Sequence, residues 1–95
     1  MAKVIKELGI VECIDITPAH DGPWHPGRKN YIGCIGQLKL YESEKKFPGE
    51  KFLYFWGFDF KEFSKWDLKT SYGDLTIDGD ILTFLTKNSR YVFKK

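Results

Sequence analysis

A mainly β fold, a small and strongly bent antiparallel barrel or roll of about six strands, is predicted by three features of the sequence. Apolar residues alternate with period two along most of the chain. Turn dipeptides punctuate that alternation at Pro48-Gly49, Asp78-Gly79 and Asn88-Ser89. Aromatic side chains are abundant, with eight Phe, five Tyr and three Trp in 95 residues. Each ring offers about 150–250 Å² for burial. A flat sheet of this length cannot hide so many rings, so it must curl over itself. Residues 1–95 are read as one domain, because a chain of this size has room for a single core.

The elements follow in order. "VIKELGIVECIDI" predicts a first strand over about residues 3–16, with Leu8, Ile10, Ile14 and Ile16 on one side and Val11 and Cys13 on the other. Glu12 interrupts the apolar side, which suggests a bulge or partial exposure there. "YIGCIGQLKLYE" predicts a second strand with Ile32, Cys34, Leu38 and Leu40 on one face and Tyr31, Ile35, Gln37 and Tyr41 on the other; Gly33 and Gly36 suggest tight bending. "FLYFWGFDF" is apolar on both faces, with Phe52, Tyr54, Trp56, Phe58 and Phe60 against Leu53, Phe55 and Gly57, and so reads as a central strand.

The period then changes. Phe60, Phe63 and Trp66 recur every three residues, and Asp59 with Glu62 resembles a capping box, which predicts a short helical turn near 60–67. The last quarter reads as a three-stranded meander. Centring its turns on Asp78-Gly79 and Asn88-Ser89 pairs Leu75 with Leu82, Phe84 with Phe93 and Thr86 with Tyr91. Leu75, Ile77, Leu82, Phe84, Tyr91 and Phe93 then share one face, and Ile81, Leu85 and Val92 the other. A first strand, a long irregular loop, a second strand and shorter hairpins make an SH3-like barrel the nearest common plan, with a two-sheet sandwich as the alternative.

Composition narrows the function classes. Fifteen basic against 13 acidic residues leave a formal charge of +2, which neither demands nor excludes a nucleic-acid partner. No apolar run approaches the ~20 residues a membrane-spanning helix needs, and "MAKVIKELG" lacks the apolar centre of a signal peptide. A cytoplasmic protein without a membrane partner is expected. Cys13 and Cys34 read as buried thiols in apolar strands, with a single disulfide between them as the other reading.

The loop "HDGPWHPGRKNYIG", residues 20–33, concentrates reactive residue types. His20, Asp21 and His25 are acceptable metal ligands, but their H-D-x₃-H spacing matches no ligand motif and lacks a full donor set, so no metal or cofactor is expected. The cysteines lie in apolar alternation rather than in the electropositive setting of a nucleophile, and "GCIG" does not join a strand to a helix as a phosphate loop does. No enzyme is expected. Pro18, Pro23 and Pro26 stiffen the loop, which lowers the entropy lost when it binds a partner. Trp24, Arg28 and Tyr31 are the residue types that dominate interface hot spots, with His20 and His25 at the rim.

A second surface suits nucleic acid. Lys61, Lys65 and Lys69 are four apart and form one stripe if the segment is helical, and Arg90 lies in a basic cluster at the final hairpin. With exposed aromatics such as Tyr54 or Trp56, they make an RNA or single-stranded DNA surface. Lysines also serve simply as the solvated side of an amphipathic turn, and Glu42, Glu44 and Glu50 oppose a broad phosphate footprint.

Thr86, Asn88, Ser89 and Tyr91 in "LTKNSRYVF" resemble the T-x-N-S-x-Y ending of small uncharacterised proteins carried by phages and mobile elements of Gram-positive bacteria. The resemblance implies an accessory protein that inhibits or regulates a host factor or defence enzyme. The sequence therefore predicts a non-enzymatic, cytoplasmic binding module for a partner protein. An RNA or single-stranded DNA binder and a small-ligand binder with an aromatic-lined barrel mouth are the alternatives.

Overall fold

The computed structural model describes residues 2–20, 31–44, 47–57 and 67–95. These residues form β1 (Ala2–Pro18), β2 (Ile35–Ser43), β3 (Lys51–Gly57), β4 (Asp67–Lys69), β5 (Gly73–Asp78), β6 (Ile81–Thr86) and β7 (Ser89–Lys94). All pairings are antiparallel, and the sequence β1-β2-β3-β5-β6-β7 closes because β7 pairs back onto β1. The result is a six-stranded antiparallel barrel with β4 added to β3, compatible with an SH3-like plan. The mainly β barrel expected from the sequence is the fold observed.

β1 makes the closure possible. Its first part, to Glu12, pairs with β2, and its second, from Glu12 onward, pairs with β7. Register shifts between Val4 and Lys6, Glu7 and Gly9, and Cys13 and Asp15 bend it as it passes from β2 to β7. Gly9, at φ 82°, supplies a left-handed conformation that other residues rarely adopt. Each inserted residue also reverses the alternation. Leu8, Val11, Cys13 and Ile16 are therefore all buried, while Ile10 and Ile14 are exposed. That corrects the two-sided assignment drawn from simple period two.

β2 and β3 keep their phase. Leu38 and Leu40 of β2 face the core together, as the alternation groups them, and in β3, apolar on both faces in sequence, Leu53 and Phe55 are the residues that face it. β2 starts at Ile35, later than the sequence suggests, because Tyr31–Gly33 form a turn. Gly36 lies against β3 so closely that a Cβ there would strike the Trp56 carbonyl oxygen. β3 pairs with β2 on one side and with both β4 and β5 on the other, which confirms it as a central strand.

Thr70 manages the step from β4 to β5. Its backbone N–H donates to the Leu53 carbonyl at 3.0 Å, and its hydroxyl accepts from the Leu53 N–H at 2.9 Å while donating to the Ser71 carbonyl. Residues 58–66 lie outside the described part, and with them most of the helical turn expected near 60–67. Its last position, Asp67, begins β4 instead.

The β5–β6–β7 meander is present, with each turn displaced by one residue. Leu75 pairs with Phe84 and Ile77 with Leu82 around Gly79-Asp80; Leu82 pairs with Phe93 and Phe84 with Tyr91 around Lys87-Asn88. Thr86 explains the second displacement. Its hydroxyl accepts from the N–H groups of Asn88 (3.3 Å) and Ser89 (3.0 Å) and donates to the Ser89 carbonyl (3.1 Å), which fixes Lys87 and Asn88 at the tip. A displacement of one at the turn shifts the pairing by two, so every side chain keeps its face. Leu82, Phe84, Tyr91 and Phe93 are buried as expected and Leu75 packs against them, but Ile77 is exposed and Val92 is buried.

Candidate functional site

The cross-strand register of β2 and β3 builds an aromatic surface on the outside of the barrel. Tyr41 lies opposite Phe52, Lys39 opposite Tyr54 and Gln37 opposite Trp56. Tyr41 stacks on Phe52 with ring centroids 5.3 Å apart and planes 7° from parallel. Tyr54 sits 6.1 Å from Tyr41 and 4.8 Å from Trp56. At the other end, Phe52 meets Tyr72 at 6.0 Å, and Tyr72 meets Phe47 edge-on at 5.6 Å. The rings form one continuous path: Phe47, Tyr72, Phe52, Tyr41, Tyr54, Trp56.

Local chemistry places the two ends of this path. In the β2–β3 connection, Ser43 and Glu50 are joined backbone to backbone at 2.8 Å and Glu50 donates to the Phe47 carbonyl at 3.1 Å, with Gly49 at φ 88°. Those bonds fix the backbone from which the Phe47 ring meets Tyr72. The Thr70 bonds to Leu53 carry the chain from β4 toward β5, so that Tyr72 arrives beside Phe52. Along the path Phe52 is buried and Tyr41 and Tyr54 are half-buried, whereas Tyr72 is exposed, Phe47 is 50% exposed and Trp56 43%. Both ends therefore offer open ring surface.

Two lysines lie on this path. Lys39 Nζ is 5.5 Å from the Trp56 ring centroid and 3.7 Å from a Glu7 carboxylate oxygen. Lys69 Nζ is 4.8 Å from the Phe52 ring centroid. Cations at these distances are attracted to the negative faces of the rings. Lys69 also borders a shallow cavity of about 280 Å³ with Phe52, Thr70, Ser71 and Tyr72. The face thus combines planar apolar surface with cations that are themselves partly exposed.

The residues singled out by sequence are dispersed. Trp24, His25 and Arg28 of the loop, and Lys61 and Lys65 of the expected stripe, lie outside the described residues. His20 is exposed at the end of β1, its Nε2 3.2 Å from Asn88 Oδ1, beside a bond from the Ala19 N–H to the Asn88 carbonyl. Asn88 of the T-x-N-S-x-Y segment thereby ties the start of the loop to the last hairpin, while Ser89 and Tyr91 are buried. Tyr31, at the loop's other end, is half-buried and packs against the core. Lys69 belongs to β4 rather than to a helix, which corrects the idea of a single helical stripe reaching it. Arg90 is exposed on β7, separated from β4 in strand order by β6, β5 and β3.

Sequence reasoning named Tyr54 and Trp56 as exposed aromatics but did not join them to Lys39, Tyr41, Phe47 or Tyr72. The missing step was register. Gln37 and Tyr41 were placed together on the face of the second strand opposite Leu38 and Leu40, and pairing them across to Trp56 and Phe52 assembles the face.

Among the described residues, no group of three or more His, Cys, Asp or Glu side chains is arranged to hold a metal ion, and no helix is long and apolar enough to cross a membrane. Comparison with known proteins found no matching family model, no matching curated protein and no matching solved structure.

Proposed function

We propose that this protein is a non-enzymatic cytoplasmic binding module that takes a short segment of RNA or single-stranded DNA on the outer face of β2 and β3. The observation that carries this reading is the ring path from Phe47 to Trp56, with Lys39 and Lys69 set against it. Unpaired bases stack on aromatic side chains, each worth about 1–3 kcal/mol, while cations follow the backbone. A duplex keeps its base faces inside its own stack, so this surface favours single strands. A closed barrel holds the rings in place before the ligand arrives, which lowers the entropy lost on binding.

The charge pattern shapes the expected behaviour. Glu7 already partners Lys39, and the chain carries only +2 overall. Stacking therefore dominates over counterion release. With about two phosphates neutralised, log K falls with log salt at a slope of roughly −1.4. Fluorescence anisotropy with a labelled oligonucleotide tests this: single strands bind, the matching duplex binds far more weakly, and the salt slope is shallow. Equal affinity for duplex, or no binding at low salt, overturns the reading.

A second reading has its own support. Ile10, 64% exposed, and Ile35, 48% exposed, line a cavity of about 290 Å³ with Val11, Glu12, Lys94 and Lys95, and Val4 and Ile5 of β1 are exposed as well. Grouped apolar exposure of this kind marks protein contact. It favours an accessory inhibitor or regulator that engages a partner protein, the role implied by the phage and mobile-element resemblance. Ile10→Asp separates the two readings, because it disrupts the apolar group and leaves the ring path intact.

A further inference from the structure

We infer that Cys13 and Cys34 form a reversible redox pair whose disulfide ties together the two stems of the long loop. The Cys13 N–H donates to the Cys34 carbonyl at 2.9 Å, and the Gly33 N–H donates to the Cys13 carbonyl at 2.7 Å. Gly33 has φ 90°. One residue facing two, with a left-handed glycine first, is a glycine-type β-bulge, and it places Cys34 directly across from Cys13. Residues that exchange both bonds across antiparallel strands have Cα atoms about 5.5 Å apart, and Cys13 and Cys34 share one of those two bonds while Gly33 supplies the other. Disulfides prefer a Cα separation of about 5.5–6 Å.

Both sulfurs also lie on the same side of the sheet. Cys13 is fully buried in the core, and Cys34 is partly buried and packs against that core. Both are thiols in this structure. Cys34 retains some exposure, so it is the sulfur a reagent reaches first. The residues between them, 14–33, include the proline- and histidine-rich loop. A bridge closes that loop at its base without disturbing the ring path on β2 and β3.

The chemistry balances with a small disulfide such as oxidised glutathione. The Cys34 thiolate attacks one glutathione sulfur, breaking that S–S bond and releasing one glutathione thiolate. Cys13 then gives its proton to solvent and attacks the Cys34 sulfur, forming the intramolecular bond and expelling the second glutathione. Two protein thiols lose two electrons in total, and one oxidised glutathione becomes two reduced molecules. Burial raises both thiol pKa values, Cys13 to about 12, so the exchange is slow at neutral pH and faster in alkali.

The test is incubation of the purified protein with oxidised glutathione at alkaline pH, followed by thiol counting in denaturant and intact-mass measurement. The expected product is a monomer with no titratable thiol, lighter by two hydrogens and restored by dithiothreitol. In Cys13→Ser, the expected product is a stable glutathione adduct on Cys34. A wild-type protein that retains both thiols, stops at a glutathione adduct, or bridges only between molecules overturns the pair.

Discussion

Phe55 and Trp56 are neighbours in β3, yet Phe55 is fully buried and Trp56 is 43% exposed. The contrast extends across the barrel. Phe55, Phe84, Tyr91 and Phe93 seal the inside, with Phe55 and Phe93 rings 5.2 Å apart, while Tyr41, Phe52, Tyr54 and Trp56 line the outside of the same sheet. Similar residue types thus serve two ends. Aromatic abundance by itself does not say which rings build the core; strand parity and register do.

Substitutions on the two sides should separate cleanly. The largest effect is expected inside: Phe55→Ala removes a fully buried ring and should cost about 3–5 kcal/mol in urea unfolding, enough to unfold much of a marginal domain. A loss below about 1 kcal/mol would break the division between faces. Thr86→Val comes next. It deprives the Asn88 and Ser89 N–H groups of their acceptor, the latter buried, at about 1–3 kcal/mol, and should speed amide exchange at those two positions.

Gly36→Ala acts on the seam between the faces, because the new Cβ meets the Trp56 backbone. A loss of about 1–3 kcal/mol is expected, with Trp56 fluorescence changed in the folded state. Trp56→Ala should change stability by less than about 1 kcal/mol while weakening oligonucleotide binding by about 1–3 kcal/mol, roughly tenfold or more. Equal losses in both would make Trp56 a structural ring.

The smallest effect at ordinary pH concerns Cys13. Its thiol is pushed from 9.0 to about 12 by burial, so the folded state holds the proton that the unfolded chain releases. The associated stability is intact below pH 9 and is lost as pH rises from about 9 to about 12. Cys13→Ala should flatten that part of the stability curve in urea titrations.

Alternation grouped the core-facing residues of β2, β6 and β7 correctly, because these strands run without inserted residues, but in β3, apolar on both faces, it did not say which face was the inner one. β1 was not grouped correctly, since its bulges reverse the phase between Leu8, Val11 and Ile16. The hairpin turns were misplaced by one because Thr86 and Gly79 choose the tip through local hydrogen bonding and backbone conformation, which dipeptide preference only approximates. Even so, the even shift kept the faces correct. Tyr54 and Trp56 entered the sequence reading as exposed rings only within the nucleic-acid alternative, since a strand apolar on both faces does not reveal which of its rings face outward. Their grouping with Lys39, Tyr41 and Tyr72 was not legible, because it depends on which strands lie side by side.

The most direct measurement is an amide and indole chemical-shift titration of the labelled protein with an unstructured oligonucleotide. The account predicts that the Trp56 indole and the amides of Gln37–Tyr41 and Phe52–Trp56 shift together and saturate, while the β5–β6–β7 hairpins stay fixed. Shifts confined to residues 18–31, or none at saturating oligonucleotide, would contradict it.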